Sequence, residues 1–243
     1  MSKLLTQICE IHDYSLDDAL TKTVELSQER TPEVIVTPNI DHFARLVQLP
    51  QADKLWNLYK EASLCLCDSN ILQKLLWFKG YRINNVVPGS TLTECLFQSK
   101  LTPEDSIVVI GSDLETINQV RSKYSELSIK HYNPPMGFIN DPNEVSKVID
   151  FVRLNKPNYT FLAVGSPRQE YVAQLLKEQL ACAGAVLCIG ASILFLVGTE
   201  KRAPEWMQKA HLEWFYRMLQ DPRRLFKRYF NNFLMLFKIY SKV

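Results

Sequence analysis

The 243-residue chain is 47% apolar and carries a formal charge of +2, a balance that excludes disorder as the default and allows one large domain with or without an appendage. The total conceals an asymmetry: 10 Lys and Arg against 4 Asp and Glu from Thr199 onward leave 18 against 22 in the first 198 residues. An acidic body with a basic end points to an anionic partner for that end, phosphate-rich lipid or nucleic acid, although a merely solvated basic face has the same composition. Cys9, Cys65, Cys67, Cys95, Cys182 and Cys188 form no CxxC pair and no His stands at zinc-finger spacing, so reduced core thiols are expected. The first residues hold no uninterrupted apolar stretch, and nowhere do about 18 apolar residues run together, so neither a secretory signal nor a spanning helix is expected.

In chain order, Ser15 with Asp18 marks a helix start, because the serine oxygen and an acid three residues on can meet free N–H groups of a first turn. Short runs of Val, Ile and Leu follow at Glu33 to Thr37, Leu64 to Cys67, Ile107 to Ile110, Tyr159 to Val164 and Ala185 to Ile189, separated by helix-length amphipathic stretches. Thr91 with Glu94, and Asp141 followed by Pro142 and Glu144, mark further helix starts. The alternation predicts an α/β fold with a Rossmann-like, mostly parallel sheet and covering helices.

After Gly198 the composition changes. A helical pattern from Pro204 to Gln220 gives way at Asp221 and Pro222, a cap and an N1 proline, to a second helix running toward Tyr240. Its apolar face holds Leu225, Phe226, Tyr229, Phe230, Phe233, Leu236, Phe237 and Tyr240, and Arg223, Arg224, Lys227 and Arg228 crowd its first turns. Such a helix suits a membrane interface, and it equally suits docking on the body or on another subunit. The expected division is residues 1–198 as an α/β domain holding the site and residues 199–243 as a basic, amphipathic helical appendage.

A parallel sheet binds ligands outside the carboxyl ends of its strands, and small residues there let a diphosphate approach backbone amides. Gly111-Ser112, Gly165-Ser166 and Gly190-Ala191-Ser192 occupy such ends. In Gly165-Ser166-Pro167-Arg168-Gln169-Glu170, Arg168 can pair a phosphate while Gln169 and Glu170 hold a base or sugar hydroxyls. Glu170 is equally a first-turn complement to a helix dipole, and Arg168 a surface partner. Thr37-Pro38-Asn39-Ile40-Asp41-His42 and Cys67-Asp68-Ser69-Asn70 follow the first two strands. Asp68 qualifies as a general base and also as the N-cap of the next helix, whereas His42 is read as structural. With no Asp-x-Asp diphosphate clamp, neither a metal nor a cofactor is expected.

Thr37-Pro38-Asn39 with Asp41-His42, Pro134-Pro135-Met136-Gly137-Phe138, Gly165 through Glu170, and Arg202-Ala203-Pro204-Glu205-Trp206 through Arg217 to Pro222-Arg223-Arg224 span nearly the whole chain in order. Together they resemble the bacterial glycosyltransferase family WecG/TagA/CpsF, glycosyltransferase family 26. The resemblance implies a metal-independent, inverting transfer to a sugar on undecaprenyl diphosphate, in cell-surface polysaccharide synthesis. The donor implied is a UDP-sugar, carrying N-acetylmannosamine, its uronic acid, or a hexose or hexuronic acid. It makes Asp68 the base, puts Thr37 in the active site, and assigns Arg217 and Arg224, with Lys227 or Arg228 close by and Arg202 upstream, to the acceptor diphosphate. Strand-end position and the resemblance together nominate Asn39, Gly111, Ser112, Gly137, Gly165, Ser166, Arg168, Gln169, Glu170 and Ser192 for the nucleotide sugar. The expected location is cytoplasmic, on the inner face of the membrane, with a homo-oligomer left open.

Three departures bear on the donor sugar. Cys67-Asp68-Ser69 stands where the family usually has Ala-Asp-Gly, and Leu194 and Thr91 stand where it usually has Asp. Two other classes were weighed. A nucleotide-dependent oxidoreductase is disfavoured because no GxGxxG follows a strand, and a non-enzymatic membrane or nucleic-acid adaptor because the body is net acidic; no nucleic-acid partner is expected.

Overall fold

The computed structural model describes residues 2–6, 8–200, 203–204, 206–207, 213–220 and 222–242; the side chains at 2–5, 213–214, 217, 224–225, 227–229, 232 and 242 fall outside that description. An antiparallel pair opens the chain, β1 (Ser2–Leu5) with β2 (Glu10–Asp13). Helix α1 (Leu16–Ser27) follows, and Ser15 and Asp18 form the expected reciprocal cap at its start. Six further strands, β3 (Pro32–Val36), β4 (Leu64–Cys65), β5 (Ser106–Ile110), β6 (Ser128–Tyr132), β7 (Tyr159–Leu162) and β8 (Gly184–Cys188), make one sheet in the order β4-β3-β8-β7-β5-β6, with every pairing parallel.

Crossovers between parallel neighbours must pass over a sheet face, and here they cover both. On one face lie α2 (Ile40–Leu46), α3 (Lys54–Lys60), α4 (Asn70–Phe78), α7 (Pro142–Asn155) and α8 (Arg168–Glu178). On the other lie α1, α5 (Gly89–Ser99), α6 (Leu114–Lys123) and α9 (Ser192–Leu196). Strand side chains alternate between the two cores: Val34, Val36, Val108 and Ile110 enter the first, Ile35, Ile107 and Val109 the second. A strand buried on both faces needs apolar residues at every position, which is why these segments read as unbroken apolar runs.

Two helices close the chain, α10 (Glu213–Gln220) and α11 (Pro222–Lys242). Helix α11 packs against α2, with Ile239 fully buried and Met235 and Leu236 half-buried on the core of that face. Its Tyr240 hydroxyl donates to the Phe78 carbonyl at 3.4 Å, and Lys79 lies 4.5 Å over the Tyr240 ring. Phe226, Phe230, Phe233 and Phe237 stay exposed on the opposite side, Phe237 at 82%. No described helix is long and apolar enough to cross a membrane.

One helix start differs from expectation. Helix α5 begins at Gly89 with Pro88 in the cap position and no side-chain cap of its own, so Thr91 lies inside the first turn. The Gly89 N–H is satisfied instead by Asp68, 3.0 Å away on another segment. An external carboxylate thus supplies what the local Thr91 was expected to supply.

Candidate active site

Val36 ends β3, and the chain turns through Thr37 and Pro38 to Asn39, which caps α2. The Asn39 Oδ1 accepts from the N–H groups of Asp41 and His42 at 3.0 and 3.4 Å. With its oxygen facing the helix, the amide must present Nδ2 outward, and Nδ2 donates to Asp68 Oδ2 at 3.1 Å. Asp68 follows β4 and is anchored to the first segment by its own N–H, bonded to the Pro38 carbonyl at 3.0 Å. The alternative role for Asp68 is settled one residue on: Ser69, not Asp68, caps α4 by accepting from Leu72 N–H at 3.1 Å. The carboxylate is left to bridge Asn39 and the α5 N-terminus.

Thr37 and Gly89 are in close register. A Cβ on Gly89 would sit 2.5 Å from Thr37 Oγ1, so the threonine hydroxyl occupies space that only a glycine leaves. Thr37, Asn39, Asp68 and Gly89 therefore form one constellation built from three strand-end or helix-start segments.

The facing rim is the segment from Gly165 to Glu170, which follows β7 and passes through a cis Ser166-Pro167 peptide into α8. Gln169 is buried and its Oε1 accepts from Gly190 N–H at 2.7 Å, tying this rim to the end of β8. Glu170 is 1% exposed, and its Oε1 accepts from Ser166 Oγ at 2.7 Å, Tyr59 OH at 3.1 Å and Gln169 Nε2 at 3.3 Å. Its Oε2 has no hydrogen-bond partner among the described residues. Burial, together with the Glu170 charge, pushes the Tyr59 phenol well above its ordinary value, so it serves as a donor here. Arg45 donates from Nη1 to Ser166 Oγ and from Nη2 to Asp41 at 3.3 Å.

Between the rims, outside the carboxyl ends of β4, β3, β8 and β7, lies a cavity of about 870 Å³. Thr37, Asn39, Asp68, Gly165, Ser166, Arg168, Gln169, Glu170 and Ser192 all line it. Gly111, Ser112 and Gly137 do not. Gly111 adopts φ +94° against β7, where a Cβ would lie 2.8 Å from the Ala163 carbonyl carbon, so this glycine serves close strand packing. Ser112 also has positive φ, and its carbonyl, like that of Gly111, is engaged by the His131 ring. Gly137 starts the turn Phe138–Asn140 with open space around it. Arg202 lies outside the described residues, as do the side chains of Arg217, Arg224, Lys227 and Arg228.

The cavity also recruits residues that sequence reasoning did not assign to it: His42, Arg45, Tyr59, Gly89, Ser90, Glu200 and, from α11, Asn231. Arg45 had a signal, its i,i+4 spacing from Asp41 on a helix opening at the rim. Tyr59 had none, since it reaches in from α3. Among the described residues no three His, Cys, Asp or Glu side chains converge as a metal site.

A doubly covered parallel sheet with a polar cavity at its strand ends, holding an oriented carboxylate on one side and Gln and Arg on the other, defines an α/β protein of the ligand-transforming class. The chain belongs to the glycosyl transferase WecG/TagA/CpsF family, whose model matches residues 6–243. It is similar to the N-acetylglucosaminyldiphosphoundecaprenol N-acetyl-beta-D-mannosaminyltransferase of Staphylococcus aureus strain MW2, at 24% identity over 172 residues, 69% of this chain and 65% of that one. A protein of the same name from Bacillus spizizenii is 34% identical over 110 residues, 45% of this chain and 40% of that one. The matches thus span less than two thirds of either relative's length.

Proposed function

We propose that this protein transfers a sugar, with inversion, from a UDP-sugar to the sugar of a polyprenyl-diphosphate acceptor at a membrane surface. The observation that carries the reading is Asp68, which lines the cavity and accepts from the Asn39 amide at Oδ2 and from the Gly89 N–H at Oδ1. Asp68 takes the proton of the acceptor hydroxyl as that oxygen bonds to the anomeric carbon, and the bond from that carbon to the diphosphate oxygen breaks, releasing UDP. The names of the relatives favour N-acetylmannosamine as the sugar transferred and an N-acetylglucosaminyl lipid diphosphate as acceptor.

Charge supports a part for the C-terminal segment. The described Arg, Lys, Asp and Glu residues lining the cavity are Arg45 and Arg168 against Asp41, Asp68, Glu170 and Glu200, with His42 held toward its neutral form by burial. Two arginines, of which Arg45 is already engaged by Asp41 and the Ser166 hydroxyl, are a poor match for a donor diphosphate and an acceptor diphosphate together. Asn231 brings α11 to the cavity wall, and positions 224, 227 and 228 precede it by seven, four and three residues, the spacing of one helix face. That supports residues 199–243 as an appendage that delivers cations to phosphate, its exposed phenylalanines resting in the lipid headgroup region.

The test is UDP release from candidate UDP-sugars in the presence of lipid diphosphate acceptors. Asp68→Asn is expected to lower turnover by about 10²–10⁴-fold while leaving UDP affinity nearly intact, because removing a base acts on the transition state. A variant keeping more than about a tenth of wild-type turnover overturns the role of Asp68.

A further inference from the structure

His42 was expected to be structural, yet it stands between the two rims of the cavity. Its Nδ1 lies 3.2 Å from the Asn39 backbone nitrogen and 2.9 Å from Asn39 Oδ1. Either placement of the imidazole proton binds it to Asn39, as acceptor from the N–H or as donor to the amide oxygen. On its far side Nε2 lies 3.5 Å from Glu170 Oε1, and the ring is packed beside Tyr59 at 6.4 Å. Glu170 is itself immobilised by Tyr59, Ser166 and Gln169. A continuous series therefore runs from the buried carboxylate of one rim through His42 and Asn39 to the carboxylate of the other.

We propose that His42 is a positioning residue for Asp68, acting through Asn39. The proposal rests on the reading of Asp68 as the base. Asn39 has one amide with two duties, an oxygen that caps α2 and a nitrogen that holds Asp68. Rotation about its last side-chain bond would break both at once, so whatever fixes that rotation fixes the direction of the Asp68 lone pairs. The capping N–H groups restrain the oxygen from the helix side, and His42 closes it from the cavity side. A misdirected base affects reaction more than binding, since donor contacts on the Gly165 to Glu170 rim do not depend on it.

Three variants separate this role from simple packing. His42→Ala removes both ends of the series. His42→Asn returns an amide near the place of Nδ1, able to accept from the Asn39 N–H or donate to its oxygen, without reaching Glu170. His42→Gln returns a donor toward Glu170 and nothing at Nδ1. The expected result is a kcat lowered about tenfold in His42→Ala and His42→Gln and restored to within about threefold of wild type in His42→Asn, with UDP affinity by calorimetry unchanged in all three. Because His42 acts through Asn39, His42→Ala added to Asn39→Ala lowers kcat no further than Asn39→Ala alone. The side-chain amide of Asn39, followed by ¹H–¹⁵N correlation, is expected to lose its hydrogen-bonded shift in His42→Ala and regain it in His42→Asn. That last readout needs no turnover. If the wild-type protein transfers no sugar, the functional reading fails while the amide shift still decides whether His42 holds Asn39. Full kcat in His42→Ala, additive losses with Asn39→Ala, an unmoved Asn39 amide, or equal loss of UDP binding and kcat in both His42→Ala and His42→Asn each overturn the proposal.

Discussion

Gly89→Ala isolates the contact on which the Asp68 rim is built. The substitution keeps the backbone N–H that binds Asp68, and Gly89 has no positive φ, so Ala suits the backbone. Helix propensity alone would then favour Ala by about 1 kcal/mol. Against this, the new methyl arrives 2.5 Å from Thr37 Oγ1, where ordinary contact begins near 3.4 Å. The threonine hydroxyl must retreat by most of an ångström, and overpacking of this kind costs about 1–3 kcal/mol. The two terms leave a net loss of about 0–2 kcal/mol, a fall in Tm of a few degrees for a domain of this size. Displacement of a site group by about 1 Å can cost as much as 10²-fold in rate. We therefore expect Gly89→Ala to fold, to bind UDP normally, and to lose about 10–10²-fold in kcat, read from UDP release beside a thermal melt. The double variant Thr37→Ala with Gly89→Ala should then match Thr37→Ala alone, because the clash has gone. A Gly89→Ala protein with kcat within threefold of wild type, or losses that add with Thr37→Ala, would refute the reasoning.

On the opposite rim, Arg168→Ala should weaken UDP binding while sparing the fold, since Arg168 is half-buried and its guanidinium donates to the Met136 sulfur at 3.6 Å. Gln169→Ala should weaken UDP binding and also cost about 0.5–1.5 kcal/mol of stability, because the Gly190 N–H loses its 2.7 Å bond to Gln169 and keeps the 3.2 Å bond to the Leu162 carbonyl; unchanged UDP affinity in both variants removes this rim from the donor site. Burial lowers the His42 and His131 pKa values below 6.5, so as pH falls through 6.5 the unfolded chain takes up protons that the native state refuses until lower pH. Stability therefore declines with falling pH across that window, and His42→Gln should flatten the decline in Tm; a variant with the wild-type slope contradicts this. Phe233→Asp with Phe237→Asp alters only exposed positions of α11, so it should abolish sedimentation with anionic vesicles and leave turnover of a short-chain soluble acceptor intact. Retained vesicle binding would reassign that face.

The five strands expected from apolar runs all form, because a doubly covered parallel strand is apolar at every position. Strand β6 escaped notice for the opposite reason. It is an edge strand, paired only to β5, and its Lys130 is exposed between the buried Ile129 and the half-buried His131. In the site, Thr37, Asn39, Asp68 and the Gly165 to Glu170 segment were legible because position at a strand end is a local property. Gly111 carries the same local signature, and only its tertiary contact with Ala163 shows it serving strand packing, whereas Gly137, nominated from the Pro134 to Phe138 turn, stands at a turn outside the cavity. Whether Asp68 caps the next helix or serves the site was likewise undecidable from neighbouring polar residues; it depends on where Asn39 and Gly89 arrive from distant segments. Tyr59 and Asn231 enter from helices whose local pattern is that of ordinary packing.

The C-terminal helix was read from sequence as either a membrane element or a docked one, and its faces divide the two roles. A narrow stripe, Met235, Leu236 and Ile239, meets the body beside α2, while Phe226, Phe230, Phe233 and Phe237 stand away from it. Trp77 and Phe78 at the end of α4 are exposed as well, and the Tyr240 bond to the Phe78 carbonyl joins the two segments. Burying the phenylalanines on the body would satisfy packing better than leaving them in water, so their exposure marks a surface that meets something else. Helix α2, which anchors the narrow stripe, is the same helix whose N-terminus is capped by Asn39 and whose first turns carry His42 and Arg45. A force applied to the phenylalanine face would therefore be transmitted through the stripe to the helix that carries Asn39 and His42. The docked stripe thus serves the cavity as well as the packing: shortening the chain before Pro222 removes the Asn231 wall together with the contact on α2.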